Sequence, residues 1–212
     1  MALTLYYASG SPYAWRVWLA LEHKGVPYAL KTLSFDAGDL GKPEFAALNP
    51  RQRVPVLADD GFALYESAAI VEYLEDKWPG EPRLFSADIR HRALQRRMVR
   101  EADAYFAPAM ERLAEAVLFT PPERRSEDRI AARCADAKTE LAPWEAAIAG
   151  DHLAGALSAA DFTLYPEAAL ALRVAARAGR APADLIGPKL GAWMRRMAAL
   201  PATQKTWPPH WR

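Results

Sequence analysis

Hydrophobic positions in the first 80 residues come in short runs separated by turn residues. Residues 3–7 form an apolar and aromatic run closed by Ser9-Gly10-Ser11-Pro12, the pattern of a strand followed by a turn. Beyond it Trp15, Val17, Trp18, Leu19 and Leu21 make a broad apolar face while Arg16, Glu22 and Lys24 stay polar, which predicts a helix stopped by Gly25. Residues 26–35 predict a second strand, and because parallel strands need a crossover, strand, helix and strand make a βαβ unit. A loop with Gly38, Gly41 and Pro43 leads to strands at 54–57 and 62–65 joined by an Asp59-Asp60-Gly61 turn, a hairpin. A helix then starts at Ser67, carries Ile70, Val71, Tyr73, Leu74 and Trp78 on one face, and ends at Pro79-Gly80. The order βαβ then ββα is the thioredoxin-like pattern.

After Pro82 the spacing turns helical. Leu94, Met98, Ala102, Tyr105, Ala109 and Leu113 repeat along residues 86–119, Pro121-Pro122 breaks the run, and a second long helix extends to about Ala149. Ser158 with Asp161 three residues on predicts a capped helix start. A short helix near Leu185, another over 189–200, and a tail with Trp207 and Trp211 complete the chain. The expected architecture is an α/β thioredoxin-like domain over residues 1–80, a linker at 81–87, and an all-α helical bundle over 88–212.

Composition narrows the chemistry. Twenty-seven Lys and Arg against 26 Asp and Glu leave no global field to steer the chain toward nucleic acid or an anionic membrane. The single cysteine, Cys134, excludes an internal disulfide and reads as a small buried hydrophobe; the four histidines are too scattered to make a metal site. No basic segment precedes an apolar one at the start and no long apolar stretch follows, so the expectation is cytoplasmic.

Three pairs of residues stand where a small peptide can be held. Ser11-Pro12 opens the first helix, putting a hydroxyl where helix N–H groups converge and the dipole favours negative charge, a place that stabilises a thiolate. Ser as cap with Pro behind it is also an ordinary helix start. Val54 before Pro55 offers its backbone to an extended peptide, or Pro55 merely begins a strand. Ser67, read as the cap of the next helix, suits a ligand carboxylate and Glu66 a ligand ammonium; Arg53 and Lys42 flank the groove and suit a second carboxylate.

Leu5-Tyr6-Tyr7 with Ser11, Asn49-Pro50 with Val54-Pro55-Val56-Leu57, and Leu64-Tyr65-Glu66-Ser67-Ala68-Ala69-Ile70 resemble the first domain of the cytosolic glutathione transferases, and the Ser158–Asp161 cap resembles one in that family's helical domain. The resemblance implies an enzyme that binds reduced glutathione, stabilises its thiolate and conjugates it to a small apolar electrophile, as a homodimer without metal. It places Ser11 as the thiol-activating serine of the theta, zeta and delta types, Val54 at the cysteinyl unit, Glu66 and Ser67 at the γ-glutamyl end, and Gln52 and Arg53 at the glycyl carboxylate. Ser11-Pro12-Tyr13 departs from the zeta-type Ser-Ser-Cys, and no class is assigned. A glutathione-dependent isomerase, dehalogenase or peroxidase, or a non-enzymatic binding protein on this scaffold, are the alternatives. Other classes use a first-strand tyrosine, so whether Tyr6 or Tyr7 assists Ser11 stays open. Tyr13, Tyr105, Phe106, Met110, Tyr165 and Trp207 are the candidates for the second-substrate wall, although aromatic residues at helical spacing also simply fill cores.

Overall fold

The computed structural model describes residues 3–148 and 150–211, which divide into two compact units, one of residues up to 85 together with those from 201 on, the other within 86–200.

In the first unit β1 (Leu3–Ala8) leads into α1 (Pro12–Lys24). Ser11 caps α1, Pro12 occupies the position where a missing N–H costs nothing, and Gly25 in the left-handed conformation (φ 65°) returns its N–H to Glu22. β2 (Tyr28–Leu33) follows, shorter than the 26–35 run, and then the turn at Asp39–Gly41. The loop expected around Pro43 contains a four-residue helix, α2 (Pro43–Ala46), started by that proline. β3 (Val56–Asp59) begins two residues later than expected, just after Pro55, which has no N–H to give a ladder, and β4 (Phe62–Tyr65) matches its run. Asp60 (φ 49°) and Gly61 (φ 84°) are both left-handed, the two-residue turn whose twist suits a hairpin. α3 (Ser67–Lys77) closes the motif.

The sheet order is β2-β1-β3-β4, with β1 parallel to β2 and antiparallel to β3. Alternation along β1 buries Leu3, Leu5 and Tyr7 and leaves Thr4 and Tyr6 half-exposed. These residues join Trp15, Val17, Leu19 and Leu21 of α1 and Ile70, Val71 and Leu74 of α3 in the unit's apolar core. Lys24 at the end of α1 meets Glu75 of α3 at 2.9 Å, where Glu75 also accepts the Leu84 N–H at 2.9 Å.

The second unit starts with α4 (Ile89–Glu101), capped by Asp88. It continues through a wide turn (Ala102–Phe106), α5 (Ala107–Ala114) and a second wide turn (Glu115–Phe119). The first wide turn lies just before Pro108, which has no N–H to give the preceding turn. A wide turn spends an extra residue, so Phe106 rather than Tyr105 takes the buried position after Met98 and Ala102. Tyr105 and Leu94, expected on the apolar face, are exposed. α6 (Glu127–Ala147) ends short of Ala149, which lies outside the described residues.

α7 (Ala159–Arg177) has the expected reciprocal cap between Ser158 and Asp161. Asp161 is fully buried and accepts four bonds: from the Leu153 N–H (3.0 Å), the Trp193 Nε1–H (2.9 Å), the Ser158 N–H (3.0 Å) and the Ser158 hydroxyl (3.1 Å). Trp193 belongs to α8 (Pro188–Ala199), so one carboxylate ties the start of α7 to α8. Near Leu185 there is only a 3₁₀ turn, Pro182–Asp184. α9 (Pro201–Thr206) and the turn Pro209–Trp211, assigned by sequence to the helical bundle, fall in the first unit.

Candidate functional site

Strand register decides which loops can act together. Tyr6 is abreast of Val56, and Val56 is abreast of Tyr65. The chain leaves β1 toward Ser11, enters β3 from Val54-Pro55, and leaves β4 toward Glu66-Ser67, so all three segments emerge from one end of the sheet. β2 runs parallel to β1 and ends with Leu33 beside Ala8, which sends the 34–42 loop out at that same end.

At the β1–α1 turn the Ser11 N–H returns to the Ala8 carbonyl at 3.2 Å, and Ser11 Oγ accepts the Ala14 N–H at 3.2 Å. A hydroxyl that accepts from the helix keeps its own hydrogen for another acceptor. Ser11 is half-buried, within reach of a ligand, and the helix behind it favours an anion. Tyr7 is different. Its ring packs edge-on against Trp18 at 4.8 Å and its hydroxyl is buried, making no hydrogen bond of normal geometry among the described residues. Burial raises the phenol pKa, against smaller lowering effects of the adjacent Ser9 side chain and Gly10 backbone. Tyr6 is half-exposed, with the Lys31 ammonium 5.1 Å from its ring centre.

Glu66, not Ser67, is the cap of α3: the Glu66 carbonyl accepts the Ile70 N–H at 2.9 Å, and Ser67 is the first helical residue. Glu66 is exposed and left-handed (φ 70°), a conformation that costs a side-chain-bearing residue energy and that surrounding structure must enforce. Ser67 is buried at the first helical position of α3, in the turn whose N–H groups have no partner within the helix.

Asn49 organises the neighbouring loop. It is 2% exposed; its Nδ2 donates to the Arg53 carbonyl at 2.7 Å and its Oδ1 accepts the Arg51 N–H at 3.0 Å. Gln52 between them is left-handed (φ 53°) and its N–H returns to the Asn49 carbonyl at 2.9 Å. Gln52 and Arg53 are exposed, Val54 is buried, and the Val54–Pro55 bond is cis. Sequence reasoning assigned Asn49 no role; an Asn-Pro pair before a strand is the turn signal that marks it. Lys42 stands beside this loop but pairs with Asp39 at 2.5 Å, and that hydrogen bond raises its pKa.

The six second-substrate candidates divide between the two units, two in the first and four in the second. Phe106, Met110 and Tyr165 are buried in the helical unit, and Tyr165 stacks edge-on with Trp193 at 6.1 Å. Tyr105 is exposed beside a cavity of about 320 Å³ lined by Met98, Pro143 and Trp144. Tyr13 is half-buried in the first unit, with the Arg16 guanidinium 5.8 Å from its ring centre. Trp207, expected in the helical domain, packs edge-on against Trp15 at 5.5 Å inside the first unit. Cys134 is buried and burial raises its thiol pKa, which fits a core residue rather than a nucleophile. No helix among the described residues is long and apolar enough to cross a membrane.

Comparison with known proteins agrees with this arrangement. Residues 10–77 match the family model of the glutathione S-transferase N-terminal domain. A maleylacetoacetate isomerase of Pseudomonas aeruginosa is 43% identical over 99 residues, 45% of each chain. Among solved structures, a glutathione transferase of Burkholderia graminis with two glutathione molecules bound per subunit is 27% identical, with a TM-score of 0.84 over 97% of this chain and 87% of that one. The glutathione S-transferase of the Antarctic clam Laternula elliptica is 30% identical and superimposes with a TM-score of 0.83, covering 100% of this chain and 94% of that one. With an end-to-end relative at this identity and a matched N-terminal domain, the chain belongs to the glutathione S-transferase family.

Proposed function

We propose that this chain binds reduced glutathione, stabilises its thiolate through Ser11 and the N-terminus of α1, and adds it to a small apolar electrophile. One observation carries the reading: strand register brings the Ser11 turn, Val54-Pro55 and Glu66-Ser67 out of the same end of the sheet. A tripeptide with a thiol in its middle and charged groups at its ends matches that order. The sulfur meets the Ser11 hydroxyl, the cysteinyl backbone meets Val54, the γ-glutamyl amino-acid end meets Glu66 and Ser67, and the glycyl carboxylate meets Gln52, Arg53 and Lys42. The ligand carried by the Burkholderia graminis relative supports glutathione as the co-substrate. Catalysis consists of charge stabilisation and proximity, with no covalent enzyme intermediate. The protein works in the cytoplasm as a homodimer.

Ser11→Ala removes a hydrogen bond to a charged sulfur, a loss of about 1.5–3 kcal/mol that lowers kcat roughly 10- to 100-fold. Glutathione affinity should change only a fewfold, because the other contacts remain. Turnover of a panel of electrophiles, with glutathione binding measured by titration calorimetry, tests this; wild-type turnover in Ser11→Ala rejects the assignment. Glu66→Ala and Ser67→Ala should do the reverse, weakening binding first.

A further inference from the structure

The last residues of the chain come back to the turn that carries Ser11. α9 lies along α1, where the buried Trp15 Nε1–H donates to Thr206 Oγ1 at 2.8 Å. The Trp15 ring then meets Trp207 and Trp211 edge-on, each at 5.5 Å, and those two indoles meet each other at 6.0 Å. Aromatic rings bury large areas, and three in mutual contact fix where the chain end goes. What they deliver to the turn is His210.

The imidazole meets the turn at Ser9 and at Gly10. Its Nδ1 shares a hydrogen bond with Ser9 Oγ at 2.7 Å. Its ring edge lies on Gly10: a Cβ at that residue would stand 2.9 Å from His210 Cε1 and 3.1 Å from Nε2. Gly10 is also left-handed (φ 91°), so conformation and close approach both call for glycine. On the strand side of the turn sits Tyr7, next to Ser9 and Gly10. Ser9 and Gly10 are half-buried and His210 is exposed, so the hydrogen bond lies at the surface beside Ser11 and not in the core. Packing alone would be served by an apolar residue in that place; a polar ring bonded to the turn's own hydroxyl does something more specific.

We propose that His210 is a positioning residue of the thiol-activating turn, locking Ser9-Gly10-Ser11 so that the Ser11 hydroxyl points at the glutathione sulfur, and that the C-terminal segment is therefore part of the catalytic site. This rests on the reading of Ser11 given above. The contacts assigned to the ends of glutathione lie on other loops, so losing the lock changes thiolate formation and turnover and leaves affinity nearly unchanged.

The experiment compares the wild type with His210→Ala, His210→Asn, Ser9→Ala and the Ser9→Ala/His210→Ala pair. Each is measured for the pH titration of enzyme-bound glutathione thiolate by ultraviolet difference absorbance, for kcat, for glutathione Kd and for Tm. His210→Ala should move the titration midpoint up by about half to one pH unit and lower kcat roughly three- to tenfold, the worth of one hydrogen bond, with Kd within about twofold. Asn places an amide near the Nδ1 position and should recover most of the loss. The two alanine changes should be far from additive, since they remove the same bond. A His210→Ala enzyme with a lower Tm and an unmoved titration and kcat overturns the proposal, as do losses that add in full. A wild type that forms no thiolate on adding glutathione overturns the Ser11 reading and this inference together, so the wild-type arm separates the two failures.

Discussion

Replacing Asp161 by Ala tests whether one buried carboxylate organises the helical unit. The side chain is fully buried and accepts four hydrogen bonds, two on each oxygen. In Asp161→Ala the Ser158 hydroxyl can turn to another acceptor, but the Leu153 N–H, the Ser158 N–H and the Trp193 indole N–H keep their positions and lose their partner. Each unsatisfied buried donor costs about 1–3 kcal/mol. Water entering the vacated space recovers part of that, which leaves a net loss of about 3–5 kcal/mol. Asp161→Asn keeps one acceptor oxygen and turns an amide toward the other donors, so it should lose about half as much. Ser158→Ala removes only the hydroxyl bond and should cost about 1 kcal/mol. Urea unfolding followed by tryptophan fluorescence, at one protein concentration, ranks the three. A loss below about 1 kcal/mol for Asp161→Ala, or a ranking that puts Ser158→Ala first, refutes the accounting.

Three further outcomes are expected. Tyr7→Phe deletes a buried hydroxyl that makes no hydrogen bond of normal geometry among the described residues, so urea unfolding should find it within about 1 kcal/mol of the wild type or more stable, and glutathione turnover should persist if Ser11 carries the chemistry. Glu75→Ala takes the carboxylate from the Lys24 ammonium, whose side chain is only 2% exposed, leaves it the Gly80 carbonyl at 2.9 Å and the Leu84 N–H without its acceptor, and should cost about 2–3 kcal/mol by the same assay, whereas Glu75→Gln keeps an acceptor for the Leu84 N–H and should cost less. The Lys77 hydrogen bond, followed by that of Tyr73, lowers the Asp59 pKa below its ordinary 3.8. A depressed carboxylate pKa means that its stabilisation is whole above 3.8 and is lost as pH falls through the lowered value. Melting curves taken into acid should therefore converge for wild type and Asp59→Asn, and a gap that stays constant would contradict the linkage.

The spacing of apolar residues, the Ser, Pro and Gly punctuation and the Asp60-Gly61 turn determined the order of strands and helices, because these are local effects carried by a few neighbouring residues. So did the Ser158–Asp161 cap, written within four residues of chain. Ser11, Val54 and Glu66-Ser67 were legible as residues at the ends of elements for the same reason, and strand register brings those ends out on one side of the sheet. What was not legible depended on residues distant in sequence or on conformations that no residue type announces. The one-residue shift of the α3 cap comes from a left-handed Glu66, and the exchange of Tyr105 for Phe106 comes from a wide turn ahead of Pro108. The pairing of Lys42 with Asp39 turned on side-chain geometry. The return of the chain end to α1 is the extreme case. Trp15 and Trp211, 196 positions apart in the chain, find each other only because burying indole against indole outweighs the local pattern that read the tail as part of the helical bundle, and with them His210 reaches Ser9.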